Sequence, residues 1–558
     1  MQKAFYTLLF SASFGILSAQ TGGTCTLLKD INPGTSNSLP VNKTLYKNKV
    51  YFQANNGLAA NGSELWVTDG TSAGTVMVKD INPGTAGGTP ANLAVYGDFL
   101  YFNGNGGVTE GAELWRTDGT AAGTVLVKDI NTGSAASAVG RIFVAFNKML
   151  FSATDGTSGS QLFESDGTAA GTKLLKRINQ SPTANAAPSN YVLFKNKVYF
   201  TATDTLYGNE LWETDGTAAG TKLVKDIWPG PTGSAISGIT PIGNTYLIFR
   251  AMDTTGNTEL WRSDGTTAGT VLVKDIWPGF NATGAAKNGS APTNLTAVGN
   301  RVFFTATENT RTGSELWVTD GTEAGTRIVK NIAVRDSTSS APSQFIEWQG
   351  KLYFRASNGI TGSEVYVSDG TEAGTVIVKD INSAGDASPA NFCKYGGKLY
   401  FQANDGVTAI ELWETDGTAA GTKMACDIRP GTGGGGPSLI DAYLGSLLFS
   451  AQNDTSGTEL FIYRTAAGVS TKEAANFSLS LKPSIATDVL TLDIHAEGLA
   501  KGGFVISDIT GRTLVSKQLS ILAGLTTETI DISPLPVGMH ILTLQLGAEK
   551  LAMKFIKQ

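Results

Sequence analysis

Residues 113–130 read ELWRTDGTAAGTVLVKDI, and nearly the same phrase stands at residues 64–81 as ELWVTDGTSAGTVMVKDI and at residues 210–227 as ELWETDGTAAGTKLVKDI. A phrase that returns at fixed spacing marks a chain built from one supersecondary unit stacked on copies of itself. Its first residue falls at Glu64, Glu113, Gln161, Glu210, Glu259, Glu315, Glu364, Glu411 and Glu459, with spacings of 49, 48, 49, 49, 56, 49, 47 and 48 residues. The one long spacing reflects an insertion near residues 280–292.

Between the phrases lies a second pattern, seen as LAVYGDFLYFNG at residues 93–104 and CKYGGKLYFQAND at residues 393–405. It reads as two short β-rich runs around a polar turn. Each unit therefore supplies four strands: A before the polar turn, B at the LYF run, C at ELW and D at the VLVKDI run. Strands B and D, such as Val302-Phe303-Phe304 and Val125-Leu126-Val127, lack clean alternation, which predicts burial on both sheet faces. A single small sheet cannot cover both of its faces, whereas a ring of stacked sheets does. The predicted fold class is all-β, a closed β-propeller of nine four-stranded blades (eight is the alternative count) followed by a small Ig-like β-sandwich. The ends of the repeat support closure. TCTLLKDINPG, from Thr24, is a D strand with no A, B or C before it, and ELFIYRTAAG, from Glu459, is a C strand with no D after it. Joined, they complete one blade and leave no edge unpaired.

Lys and Arg number 42 against 48 Asp and Glu, a net charge of −6 with pI near 5.3. No basic stripe is present, so nucleic acid is not an expected partner. Residues 1–19 place Lys3 ahead of an apolar run that ends in Leu-Ser-Ala, the pattern of a cleavable signal peptide. That run is short for a bilayer, and no later segment is long and apolar enough, so no transmembrane segment is expected. With only Cys25, Cys393 and Cys426, at most one disulfide is expected, and none is the favoured count.

Over about residues 24–465 these units resemble the ELWxxDGT repeat family of bacterial exported proteins, a resemblance that implies a β-propeller and leaves the ligand open. From Phe477 a different β-rich text begins, and it resembles the type A C-terminal sorting domain of type IX secretion cargo. The matching positions are Asp508, Gly511 and Arg512 in a turn, then Leu535, Pro536 and Gly538, and finally Lys554, Phe555, Ile556 and Lys557. Ser480-Leu481-Lys482-Pro483 replaces the family's opening phrase, and Met539-His540 replaces the aromatic expected after Gly538. The resemblance implies recognition by the type IX secretion machinery, removal of the module, and a secreted or outer-membrane surface-attached product. The domain reading is a signal peptide at 1–19, the repeat propeller at 20–470, a linker at 471–476 and the sorting sandwich at 477–558.

Both histidines, His495 and His540, lie in the C-terminal module. The repeats therefore lack Ser-His-Asp, Cys-His and histidine-ligated metal chemistry. The recurring Asp of DGT suits a hairpin whose side chain caps its own backbone. It also resembles the Asp-box turn of sialidases and kelch-like propellers, which is a likeness of turns and not of activity. Glu113, Lys128 and Asp129, repeated in most units, are expected to pair across strands at the sheet margins. The B–C loops, such as Asn55-Asn56-Gly57 and Asn404-Asp405-Gly406, carry the oxygen chemistry of calcium and also of ordinary turns, so no cofactor other than calcium is in view.

The favoured function is a non-catalytic extracellular or cell-surface binding or adhesion propeller. The alternative is a secreted carbohydrate-active enzyme, a glycoside hydrolase or lyase, with carboxylates at a channel mouth. Candidate ligand residues lie where the units differ. The residue after the KDI-type strand is Asn32, Asn82, Asn131, Asn179 and Asn382 in five units, but Trp228 and Trp277 in two consecutive ones. The insertion after Trp277 brings Phe280, and the next B–C loop carries Arg311. Exposed aromatics beside amides suit a glycan or protein ligand; the competing reading is that each Trp covers a Pro-Gly turn. Mass spectrometry of the exported protein is expected to find neither residues 1–19 nor the C-terminal module, and abundant peptides from residues 500–558 would count against the sorting assignment.

Overall fold

The computed structural model describes residues 23–557 apart from 59–60, 85, 280–287, 310–312, 335–338, 444, 466–469, 474–476, 483–484, 497–499, 522–523 and 547–548. The signal-peptide reading at 1–19 falls outside the described residues. Every regular element among those described is a strand, and no helix is long and apolar enough to cross a membrane. The chain divides into two compact units, residues 25–463 and the residues from Arg464 onward.

The first unit consists of repeated four-stranded antiparallel sheets of the β-propeller type, nine of them among the described residues. In the first sheet, strands A to D are Val41–Tyr46, Lys49–Asn55, Ser63–Thr68 and Val76–Lys79, paired in chain order. The next seven repeat that order. The ninth is built from Ser438–Tyr443, Ser446–Ala451 and Glu459–Arg464, and its fourth strand is Thr24–Lys29, which lies beside Glu459–Arg464.

Strands B and C carry the packing. An aromatic pair crosses them in every sheet, as in Phe52 opposite Trp66, Phe102 opposite Trp115 and Phe401 opposite Trp413. Side chains alternate across the pleat, so Val50, Phe52 and Trp66 pack with Leu28, Leu448 and Leu460 of the ninth sheet, while Tyr51, Leu65 and Val67 pack with Leu100, Phe102 and Trp115 of the second. Strand B is thus buried on both faces, as expected. Strand D departs from that expectation. It is four residues long in eight sheets and six in the ninth, and it is half-exposed because it is the outer edge with no strand beyond it; strand C is the more deeply buried of the two.

The repeated charges also depart from the expected pairing. The ELW glutamate is buried in all eight units that have it, opposite a small residue of strand B: Ala54 for Glu64, Gly104 for Glu113 and Ala403 for Glu411. The space so left lets the carboxylate turn onto the D–A link. Glu113 accepts from the backbone N–H groups of Ile130 (2.8 Å) and Ser137 (2.8 Å), and Glu64 accepts from Ile81 (2.9 Å) and Gly88. Gln161 does the same with one oxygen for Ile178 and Asn179, and its amide donates to Ser158 and Ala184 carbonyls. In the ninth sheet Glu459 accepts from Ile31 N (2.9 Å), Ser38 N (3.1 Å) and Ser38 Oγ (2.6 Å), so the last C strand grips the N-terminal segment. The lysine of the phrase reaches away from the glutamate to the next sheet: Lys79 Nζ donates to Thr124 O, Lys128 to Thr172 O and Lys379 to Thr422 O. Backbone amides, unlike a mobile lysine, follow the glutamate into the interior, which is why the cross-strand ion pair does not form.

Contrary to the favoured expectation of none, a disulfide joins Cys25 of the N-terminal strand to Cys426, at the end of the eighth sheet's D strand, with Cα atoms 6.1 Å apart and 401 residues of separation, because the packing of the ninth sheet on the eighth brings the two residues together.

The second unit has two sheets around one core of Leu490, Leu492, Ile494, Phe504, Leu542 and Phe555. Ser470–Glu473 pairs with Phe477–Lys482 in this unit, so the boundary lies before the expected linker at 471–476; residues 474–476 of that linker are outside the described residues. The Asp508, Gly511 and Arg512 turn has a physical basis. Asp508 Oδ1 accepts from the N–H groups of Thr510 and Arg512, Arg512 Nε donates to Asp508 Oδ2 at 3.1 Å, and Gly511 holds a φ of +88° that a side chain disfavours.

Two outcomes follow for stability. Replacing Cys25 and Cys426 by Ser is expected to cost roughly 2–5 kcal/mol, read as a lower urea midpoint that reductant no longer shifts. The pH profile has an unusual sign. Burial pushes Glu64, Glu210, Glu364 and Glu411 from 4.5 up to about 7, outweighing the backbone donors. A carboxyl raised in the folded state contributes fully below its unfolded value and loses that contribution as pH climbs through the folded one, so stability should rise as pH falls from 8 to about 5. The DGT aspartates act oppositely. Asp118, Asp215 and Asp416 are held below 3.8 by their Thr hydrogen bonds, and their contribution is lost under that value. Urea midpoints across pH 2.5–8 test this, with Glu64→Gln and Glu411→Gln expected to flatten the upper limb.

Candidate functional site

The most repeated carboxylate is the Asp of DGT, and the structure commits it to its own turn. Asp69 Oδ1 accepts from Thr71 N (2.9 Å) and Thr71 Oγ1 (2.7 Å), and Thr71 Oγ1 accepts from Gly74 N (2.9 Å). Thr75 closes the hairpin by donating to Thr71 O. Gly74 has no room for a Cβ, which would fall on the Asp69 carboxylate, so the DGTxxGT spacing follows from sterics as much as from hydrogen bonding. The same set recurs at Asp118, Asp215 and Asp416.

Other reactive groups are equally committed. Lys43, on the first sheet's A strand, has a side chain only 2% exposed and reaches across to the ninth sheet, pairing with Asp441 at 3.1 Å and donating to Leu439 O at 2.7 Å. Burial lowers its pKa, opposed by that carboxylate. Cys393 is half-buried, and burial pushes its thiol up to about 11, opposite to what an activated nucleophile requires. The B–C loop Asx side chains cap their own loops: Asn55 Oδ1 accepts from Gly57 N, and Asp405 Oδ1 accepts from Val407 N and Thr408 N. Among the described residues no three His, Cys, Asp or Glu side chains converge as a metal site.

The end of the sheets that carries the B–C loops and D–A links has a different character. Four of the five Asn residues after the KDI strands, Asn32, Asn82, Asn131 and Asn382, link their own D–A segment to the next sheet's B–C loop, while Asn179 instead accepts from Ser181 N in its own link. Asn82 Nδ2 donates to Gly87 O in its own link, while its Oδ1 lies where a Cβ on Gly107 of the next sheet would sit, and Asn131 has the same relation to Ala136 and Gly156. Trp228 and Trp277 take this position in the fourth and fifth sheets. Both are half-buried, and Trp228 N donates to Glu210 at 3.2 Å, so the backbone is held as in the Asn units while the indole replaces the stitch. No ring contact joins the two indoles. Phe280 and Arg311 fall outside the described residues.

The same end carries a feature that the sequence reading passed over. Apolar residues sit at the tips of five B–C loops: Leu58 (60% exposed), Val108 (89%), Leu206 (65%), Ile360 (67%) and Val407 (71%). The signal was legible, since four of them follow a Gly in an otherwise polar loop. Together with the tryptophans they give this end repeated apolar points on a polar background.

Comparison with known proteins places the C-terminal part. A family model described as a secretion system C-terminal sorting domain matches residues 483–558. No curated protein matches the chain. Among solved structures the chain is similar to prolyl endopeptidases (14% identity, TM-score 0.35, 65% of this chain and 55% of that chain) and to puromycin hydrolase (14%, 0.33, 77% and 61%). It is also similar to the β-propeller domain of the Trilobed protease from Pyrococcus furiosus, described as having an open velcro topology (10%, 0.33, 71% and 98%). The chain thus spans only 55% and 61% of the length of the first two, and no peptidase activity follows from likeness at this level. With its sorting domain, which addresses the type IX secretion machinery, the protein is secreted or attached to the cell surface.

Proposed function

We propose that the repeat unit is a closed nine-bladed propeller serving as a non-catalytic binding or adhesion module outside the cell, delivered there by a signal peptide at residues 1–19 and an Ig-like C-terminal sorting sandwich. Closure is supported by the packing of the ninth sheet against both the eighth and the first, by the Glu459 grip on residues 31–38, and by the Lys43–Asp441 pair. The enzyme alternative draws no support from the carboxylates. The repeated aspartates of the DGT turns and glutamates of the ELW strands are held by backbone donors and have none of the freedom a general acid or base needs.

The observation that carries the binding role is the presence of Trp228 and Trp277, on two consecutive sheets, at a position that is Asn in five of the other seven units and Ala333 or Arg429 in the remaining two. A half-buried indole at the end of the sheets that also carries the apolar loop tips offers a stacking surface for a sugar ring or a partner's side chain. Phe280 and Arg311 extend the candidate surface by their place in the chain. The test begins with a screen of the full chain against glycans and surface proteins. Trp228→Ala with Trp277→Ala is then expected to weaken binding of any ligand found by at least tenfold while leaving the melting temperature within a few degrees. Unchanged binding refutes the site, and lost stability with retained affinity assigns the indoles to packing.

A further inference from the structure

The A strands share a feature at their second residue. Asn42, Asn92, Asn190, Asn294, Gln344 and Asn391 all stand there with φ of 57–58°, in the left-handed region that Asn tolerates better than most residues. The third sheet breaks the series. Its residue at this position is Arg141, which is not left-handed, and its A strand is shortened to Phe143–Ala145. At the break lies a cavity of about 390 Å³ between the A strands of the first three sheets, lined by Asn42, Thr44, Asn92, Leu93, Arg141 and Ile142. That volume is within the roughly 300–1,000 Å³ of small-molecule sites.

The polar groups around it are specific in kind. Asn42 Nδ2 donates to Gln53 Oε1 (3.2 Å) and Pro90 O (3.4 Å), and Asn92 Nδ2 donates to Val139 O (3.0 Å). Both amide hydrogens of Asn42 and one of Asn92's are thus engaged, and the two carbonyl oxygens remain as acceptors. Lys43 also borders the cavity, but its ammonium is taken by Asp441 and Leu439 O. Arg141 is exposed and has no hydrogen bond or ion pair among the described residues. The cavity therefore presents one planar cation, two amide acceptors with the Thr44 hydroxyl, and an apolar wall of Leu93 and Ile142.

We propose that this cavity binds the uronic-acid residue of an extracellular acidic saccharide, with the carboxylate on the Arg141 guanidinium and ring hydroxyls donating to Asn42 Oδ1 and Asn92 Oδ1. A guanidinium holds a carboxylate through two parallel hydrogen bonds. The acceptors decide the rest of the ligand. They favour a molecule that brings hydroxyl donors and disfavour a phosphate or an acidic side chain, which bring none. The inference rests on reading the repeat unit as a binding module, and the tryptophan pair on the fourth and fifth sheets serves as its control.

The test is calorimetric titration of the full chain with tri-galacturonate, its methyl ester and tri-glutamate. Tri-galacturonate is expected to bind, and the ester and tri-glutamate at least tenfold more weakly. Arg141→Gln should reduce tri-galacturonate affinity at least tenfold with an unchanged melting temperature, and Asn92→Ala should reduce it less. Failure of tri-galacturonate to bind, equal binding of the ester or of tri-glutamate, or indifference to Arg141→Gln overturns the proposal. If Trp228→Ala with Trp277→Ala abolishes binding while Arg141→Gln does not, the saccharide sits on the tryptophans, and this site falls while the binding role stands.

Discussion

A buried carboxylate facing backbone amides is the constraint on which the repeat unit depends. Each ELW glutamate lies inside its sheet opposite Ala or Gly and ties down the link that leads to the next sheet. An unpaired charge in such a place would be costly, and so would orphaned amides, so each makes the other tolerable. The position of the following A strand is thereby fixed by a side chain of the preceding C strand. The lysine–threonine clasp and the aromatic pair across B and C then act between sheets already set in register. Gln161 shows that the geometry of this anchor matters more than its charge, since an amide fills the same role with one oxygen and two further donations.

Much of the fold was legible because the repeat is spelled in residues with narrow structural uses. Asp-Gly-Thr at fixed spacing names a hairpin, and the structure builds that hairpin from the hydrogen bonds those three residues allow. The unmatched D strand at Thr24 and the unmatched C strand at Glu459 lie side by side in one sheet. The glutamate misled for a physical reason. From sequence, Glu113 and Lys128 are opposite charges on neighbouring strands, and nothing in their spelling tells that Gly104 opens a space beneath one of them. The half-exposed D strand misled similarly, since Val-Leu-Val reads the same at an edge as in a centre.

The candidate surface was legible in part. Trp228 and Trp277 stood out by breaking a series of asparagines, and the left-handed Asn series of the A strands could have exposed Arg141 in the same way. It did not, because the A strands vary so much elsewhere that one divergent residue gives no signal until backbone conformation aligns them. The loop-tip aliphatics were missed for a different reason: a lone Leu58 or Val108 in a polar loop has no meaning until its counterparts are found at one end of the sheets.

The seating of Thr24–Lys29 beside Glu459–Arg464 bears on the order in which the protein can be made. The earliest strand of the repeat unit has no partner until the latest has been synthesised, so eight sheets can fold as the chain emerges while the ninth waits. During that interval the N-terminal strand offers an open edge, and Cys25 has no Cys426 to meet. The seam is therefore a completion signal in covalent form: oxidation between these two cysteines records that the whole repeat array has been delivered, in sequence, to a compartment able to form the bond.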